Sequence, residues 1–246
     1  MINWIKNIVK RLLGIKVSEW ALRITRDNDR VLKLLENRLT TSSCCIDVGA
    51  HQGSFLDFYI RFAPNGKHLA FEPLPDYYNK VVEVYPNVIV HNVALSDFIG
   101  SSTFHDVKGA EAMSGFKKQH YPTEVNISEI EVKVSTLDSY LHEIKNVDFI
   151  KIDVEGAELS VLKGAMEVIR TCQPIIMFEF AKLHTASYGI TPLDVFQFFD
   201  DLNYEIWRLD EQHIYTLETL ELIFLNSQET GYNRNAETNF LAIPKK

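Results

Sequence analysis

From residue 44 onward the chain alternates short apolar runs with segments of helical periodicity, and few architectures accommodate that order. The runs at 44–48, 68–71, 88–92, 149–152, 175–180, 204–209 and 240–243 are rich in Val, Ile and Phe and end in Gly, Pro or acidic residues, as buried strands do. Between them, 54–62, 75–85, 158–170 and 193–202 read as helices. Pro75 stands in the first turn of one, and Leu159, Leu162, Ala165, Met166 and Ile169 share the inner face of another. A short helix is expected over 137–143. Strands alternating with helices predict βαβ units and an α/β fold, with a mostly parallel sheet covered by helices on both faces. Residues 101–106 and 130–136 break the alternation and read as two strands flanking a polar segment, 108–126. Sheets of this kind bind ligands beyond the carboxyl ends of their strands, near the reversal of strand order. Asp47, Glu72, Asn92, Asp153 and Glu179 all lie at such ends.

The first strand runs into Asp47-Val48-Gly49-Ala50-His51-Gln52-Gly53-Ser54. Glycines let the chain turn sharply and let backbone approach a ligand. The spacing is G-x-x-x-G, which is not the dinucleotide fingerprint, and no Gly-Lys-Ser/Thr follows as in a phosphate loop. A carboxylate just before the loop would repel a pyrophosphate and attract an ammonium or a sulfonium, so a cationic, phosphate-free ligand such as S-adenosyl-L-methionine suits it better. Glu72 ends the next strand about 20 residues on, where an acid accepts hydrogen bonds from ribose hydroxyls. The segment Ile152-Asp153-Val154-Glu155-Gly156-Ala157-Glu158 sets two carboxylates at another strand tip. Glu158 belongs to the first turn of the following helix, where the helix dipole favours an acid. Asp153 and Glu155 suit a base, a hydroxyl acceptor or a metal ligand. Asp-x-Glu without a His partner is weak evidence for metal, and none is expected.

These residues, taken in order, resemble the FkbM-type methyltransferases, a branch of the class I S-adenosylmethionine-dependent enzymes. The resemblance is carried by 46–53, Phe71-Glu72-Pro73, 92–97, 135–138, 150–158, 161–165, Pro174 with Phe178-Glu179, and 238–244, so it covers residues 41–246. It implies a Rossmann-like, seven-stranded sheet with one antiparallel strand near the C-terminus. The first 40 residues then form a helical extension, and 101–136 is an insertion. It also implies methyl transfer to a hydroxyl oxygen of a sugar, glycan or related metabolite; bacterial members are associated with surface polysaccharides. By the same resemblance Asp47, Gly49, Ala50, His51, Gly53 and Ser54 hold the methionine end of the cofactor. Glu72 and Pro73 meet the ribose, Asn92, Val93 and Ala94 lie against the adenine, and Asp153 lies near the transferred methyl. The family more often has Asn where this chain has His51.

Methyl transfer to oxygen needs alignment and a proton acceptor. The candidates are Asp153 and Glu155, with His184 next, because His184 follows the strand that carries Glu179. The polar segment 108–126, with Phe116, His120 and Tyr121, is a candidate lid. N-methyl transfer to an amino sugar or other amine, and a cofactor-binding module without activity, remain alternatives. A nicotinamide oxidoreductase is disfavoured by the missing fingerprint.

The net charge of −8 argues against a nucleic-acid binder, which is usually basic. Three cysteines, Cys44, Cys45 and Cys172, form neither a disulfide framework nor a zinc site and fit a reducing cytoplasm. No apolar run reaches the roughly 18 residues of a membrane span. Residues 2–13 read as an amphipathic helix with Lys6, Lys10 and Arg11 on one face. That face predicts weak contact with an anionic membrane surface, while the apolar face predicts packing on the domain or on a second copy of the chain.

Overall fold

The computed structural model describes residues 19–119, 121, 124–227 and 237–246. The helix expected over 2–13, with its membrane and dimer readings, lies outside the described residues, as does His120. Among the described residues the strands, in chain order, are β1 (Cys45–Val48), β2 (Leu69–Phe71), β3 (Ile89–His91), β4 (Ala94–Leu95), β5 (Gly100–Lys108), β6 (Asn126–Ser135), β7 (Phe149–Ile152), β8 (Ile175–Glu179), β9 (Tyr204–Arg208), β10 (Ile214–Tyr215) and β11 (Asn239–Pro244). The helices are α1 (Glu19–Arg38), α2 (Leu56–Phe62), α3 (Pro75–Val84), α4 (Glu158–Lys163), α5 (Met166–Cys172), α6 (Lys182–Thr185), α7 (Pro192–Asp201) and α8 (Leu217–Asn226).

The main sheet runs β10-β9-β11-β8-β7-β1-β2-β3. Strands β3, β2, β1, β7 and β8 are mutually parallel, and β11 inserts antiparallel between β8 and β9. The class I arrangement is thus present, with the order reversing between β1 and β7. It carries one strand more than expected: β10 pairs antiparallel with β9 at the edge. That strand is only two residues long, too short for a periodicity to announce it.

Both faces of the central strands are buried, so β1 and β7 carry almost no polar residue. On one face Cys45, Ala70, Phe149, Met177 and Leu241 pack against Leu34 and Leu35 of α1, Leu56 and Tyr59 of α2, and Val81 of α3. On the other, Ile46, Phe71, Ile150 and Phe178 meet Val161 of α4, Ile169 of α5, Phe199 of α7 and Phe224 of α8. The extension is therefore part of the core through α1. That helix runs through Asp27, which lies in its interior. Asp27 is buried inside the helix and contacts Arg26 and Arg30, which also reach Glu237 near the start of β11. The insertion's β5 and β6 form a separate sheet with β4, in the order β4-β6-β5, whose Ala94, Phe104, Val132 and Val134 pack on Leu74.

The helix expected over 158–170 is two helices, broken at Gly164 and Ala165. The loop at Ser96 crosses there, and a Cβ on Gly164 would stand 2.0 Å from the Ser96 carbonyl oxygen. Asp138 caps the second piece by accepting the Glu167 and Val168 amides at 3.0 and 2.9 Å.

One charged pair interrupts the apolar centre. Asp47 and Lys151 are register partners across β1 and β7, 1% and 5% exposed, with Nζ 3.2 Å from Oδ1. Two stability predictions follow from this architecture. Replacing Lys151 with Met strands the Asp47 charge in the sheet and should lower urea-unfolding stability by about 3–5 kcal/mol; a shift under about 1 kcal/mol would mean the pair is solvated. Gly164→Ala should cost about 1–3 kcal/mol by overpacking, visible as a melting temperature several degrees lower. An unchanged melting temperature would show that the Ser96 crossing is looser than described.

Candidate active site

The tips of β1, β2 and β7 and the inner face of the insertion line a cleft that opens to solvent. It lies at the reversal of strand order, where the fold leaves room between diverging loops. Gly49 leaves β1 with φ +77°, and a Cβ there would stand 2.0 Å from the Asp153 carbonyl oxygen. The β1 and β7 loops therefore touch backbone to backbone, and only glycine fits the contact. The Gly49 and Ala50 amides both donate to the Phe71 carbonyl, at 3.0 and 3.1 Å, which binds the loop to β2 as well.

His51 has φ +48°. That left-handed conformation is tolerated best, after glycine, by Asn, Asp and His, which accounts physically for His standing where Asn is more usual. Its amide donates to Glu72 Oε2 at 2.7 Å, and its ring lies 4.2 Å from that of Tyr77. Burial, then the nearby Lys151 ammonium, lowers its pKa, so the ring is neutral at neutral pH.

Glu72 is 4% exposed and receives a second amide, Leu74 N to Oε1 at 2.8 Å. Burial pushes its pKa up to about 7 despite both bonds. Asn92 steadies this corner from behind, donating to the Glu72 and Pro73 carbonyls at 2.9 and 3.0 Å.

Of the residues expected at the cofactor, Gly49, Ala50, His51, Ser54, Glu72, Pro73, Val93, Ala94 and Asp153 line the cleft. Asp47, Gly53 and Asn92 stand one layer back. Asp47 faces Lys151. Gly53 makes room for the Tyr85 ring, which a Cβ would approach to 2.5 Å. Asn92 braces the Glu72 corner.

Lys151 is the residue that motif reading passed over. Its ammonium donates to the Gly49 carbonyl at 2.8 Å and lies 3.2 Å from Asp47 and 3.6 Å from Asp153. Burial alone would discharge it, but Asp47 and Asp153 outweigh that and hold its pKa above the ordinary lysine value. A lysine inside a four-residue buried strand needs such partners, and that was the available signal.

Beyond Lys151 lies an acidic group. Asp153 keeps 41% of its side chain open to solvent. Burial, with Glu179 adding and Lys151 and His184 opposing, raises its pKa. Glu155 has φ +59°, a strained conformation for a residue with a side chain. The Glu155 turn is closed by Gly156, where a Cβ would stand 2.3 Å from the His184 carbonyl oxygen. Glu158 Oε1 accepts the Val154 and Gly156 amides at 2.9 and 3.2 Å, so this acid also locks the turn. Burial, then Glu179, raises the Glu158 pKa to about 8.

His184, expected to overhang the cleft as an alternative base, sits behind Glu155. Its Nδ1 lies 2.9 Å from Glu155 Oε2 and 3.1 Å from Glu179 Oε2. Burial opposes protonation, but the two carboxylates prevail and push its pKa up to about 12. In this arrangement it is an imidazolium with no lone pair to offer. Glu155, raised chiefly by burial and lowered by His184, titrates near 6.

The insertion supplies the outer wall through Phe104, Glu111, Ser114 and Phe116. Its Lys117 and Gln119 tie it to the elements around the acids. Gln119 Nε2 donates to the Glu155 carbonyl and Oε2 at 2.9 and 3.1 Å. Lys117 donates to the Ser187 carbonyl at 2.9 Å and lies 4.7 Å from the Tyr188 ring centroid. None of these residues belongs to a recognisable motif, since their roles depend on how the insertion folds back.

Residues 47–206 match the Methyltransferase FkbM domain family, which spans well over half of the chain. A hexuronic acid methyltransferase, AglP, from Haloferax volcanii is 25% identical over 206 residues, covering 80% of this chain and 79% of that protein. Methyltransferase 1 of Beauveria bassiana is 27% identical over 147 residues, and the match spans 58% of its length. A crystal structure of an FkbM methyltransferase from Methylobacillus flagellatus superposes over 84% of this chain and 44% of that one, with a TM-score of 0.53 at 17% identity, a likeness of fold. The chemistry of the cleft fits the cofactor of class I methyltransferases. Val93, Ala94 and Leu95 offer an apolar wall for a flat base, and Glu72 an acceptor for ribose hydroxyls. The chain belongs to the FkbM methyltransferase family, and S-adenosyl-L-methionine is its methyl donor.

Proposed function

We propose that the protein methylates a hydroxyl oxygen of a sugar or glycan, with Asp153 taking the proton. The observation that carries this reading is the setting of Asp153. Its carboxylate opens into the cleft at the tip of β7, with its pKa raised above the ordinary aspartate value, as suits a proton acceptor. S-adenosylmethionine, when bound, supplies the methyl carbon and leaves as a neutral thioether, so no residue need protonate a leaving group.

The chain's own residues then divide the remaining work. Glu72 accepts from ribose, Val93 and Ala94 pack against the base, and Lys151 holds Asp153 and the Gly49 carbonyl in place. Glu155, fixed by Gln119 and His184, orients the acceptor. The insertion's Phe104 and Phe116 give the outer cleft an apolar wall on which a sugar face stacks. The name of the Haloferax volcanii relative, a hexuronic acid methyltransferase, supports a sugar as acceptor. The group of acids supports a second reading, N-methylation of a cationic amino sugar.

Three measurements test this assignment. Asp153→Asn should lower kcat by about 10²–10⁴-fold while cofactor affinity, read by calorimetry, stays within a few-fold; near-normal turnover would remove Asp153 as the base. In a radiolabelled methyl-transfer assay with paired uronic acid, neutral sugar and amino sugar glycosides, incorporation only into the amine would replace oxygen by nitrogen as the methylated atom. Glu72 accepts hydrogen bonds fully only when ionised, and it titrates near 7. Cofactor affinity should therefore fall as pH drops, by about tenfold between pH 8 and pH 6, and Glu72→Gln should bind more weakly at both values without that slope. A wild-type affinity independent of pH would place the ribose elsewhere.

A further inference from the structure

S-adenosylmethionine carries an ammonium at its methionine end, and the acid of the glycine loop is not free to meet it. Asp47 is 1% exposed and stands against the Lys151 ammonium. Among the described residues the carboxylates that line the cleft are Glu72, Glu111, Asp153 and Glu155. Three of them are engaged by the main domain or by a cation. Glu72 accepts the His51 and Leu74 amides, one on each oxygen. Asp153 lies 3.6 Å from Lys151, and Glu155 lies 2.9 Å from His184. Glu111 differs, since among the described residues no cation forms an ion pair with it. Lys108, three residues away, is paired with Asp106.

Glu111 comes from the insertion, at the start of a single tight turn, Glu111–Met113. The backbone around it is fixed. His105 and Gly115 exchange hydrogen bonds at 2.8 and 3.2 Å, and Ser114 Oγ accepts the Val107 amide at 3.0 Å. Glu111 Oε1 accepts the Gly109 amide at 3.0 Å. That amide, more than any other group, holds the Glu111 pKa below the ordinary glutamate value, so the side chain is a carboxylate at neutral pH. It stands on the side of the glycine loop. The Tyr77 phenol meets Glu111, and the Tyr77 ring lies 4.2 Å from that of His51.

The sheet order gives this position a meaning. Strand β2, which ends at Glu72, lies between β1 and β3. With the ribose on Glu72 and the base on the β3 side along Val93, Ala94 and Leu95, the methionine end is left the β1 side, along Gly49, Ala50 and His51. We propose that Glu111 accepts the ammonium of the cofactor's methionine end across the cleft, so that the insertion helps to hold the methyl donor. A charge-assisted hydrogen bond of this kind is about twice as strong as one between neutral groups. The proposal rests on the placement of the ribose at Glu72.

Calorimetry of the full chain with three ligands tests it. They are S-adenosylhomocysteine, its analogue with hydrogen in place of the amino group, and methylthioadenosine, which keeps base and ribose but has no amino acid. In the wild-type chain, loss of the amine should weaken binding by about tenfold or more. Glu111→Gln should weaken S-adenosylhomocysteine by a similar factor and leave the other two ligands within about twofold of wild type. In that variant the amine no longer matters, which a merely structural change would not produce. Methylthioadenosine binding reports that the cleft is intact. A wild-type affinity that ignores the amine overturns the proposal, and so does an amine preference that survives in Glu111→Gln. Glu72→Gln tests the placement beneath it and should weaken methylthioadenosine as well. Normal methylthioadenosine binding by Glu72→Gln would move the ribose elsewhere, even where the amine and Glu111 prove coupled.

Discussion

The cross-strand pair of Asp47 and Lys151 is the constraint around which the site is arranged. It sits in the middle of the main sheet, between the two strands where the order reverses. A buried ion pair contributes little net stability over apolar residues of the same shape, so its consequence here is direction. Lys151 spans the β1 and β7 tips, bonding the Gly49 carbonyl on one side and facing Asp153 on the other. Asp47 balances it from below and is not a wall of the cleft. The turn at Gly49 and the approach of Asp153 are thus set by one ammonium group in a medium that magnifies its field.

Around that centre the chain accumulates negative charge and then restrains it. Glu155 is held left-handed by a turn that only Gly156 can close against the His184 backbone. Strain of this kind persists where the surroundings over-determine it, and here they do so through Glu158, Gln119 and His184. Local backbone, a neighbouring helix and the insertion each contribute one restraint. The acids are therefore positioned before any ligand arrives, which is how binding sites avoid an ordering cost at the moment of reaction.

The insertion adds a second wall to the cleft that the main sheet alone would leave open. Strands β4, β5 and β6 form a separate small sheet against Leu74, hydrogen-bonded within itself and not to the main sheet. Phe104 and Phe116 face the cleft from it. The strand tips of the main sheet form the floor of the cleft, and the insertion forms its outer wall. Function of this kind is carried by loops on a rigid scaffold.

Much of the fold was legible because its signals are local. Buried parallel strands are continuous apolar runs, and β1, β2, β7 and β8 could be found from them to within a residue or so. Glycines and acids at the strand tips marked the cleft in advance. What stayed hidden depends on distant neighbours. The break at Gly164 exists because the Ser96 loop crosses there, Asp27 is a helix interior because Arg30 and Glu237 reach it, and β10 is strand only by pairing with β9. In the site, Asp47, Gly53, Asn92 and His184 were placed in the right neighbourhood but one layer too far forward, and Lys151 and Gln119 went unnoticed. By itself the sequence determined the order of elements, the class of fold and the set of strand tips that line the cleft, since these follow from periodicity and spacing. Only the tertiary structure decided which side chains line the cleft, which support it, and that His184 stands between two glutamates, because pairings between residues far apart in the chain leave no trace in local pattern.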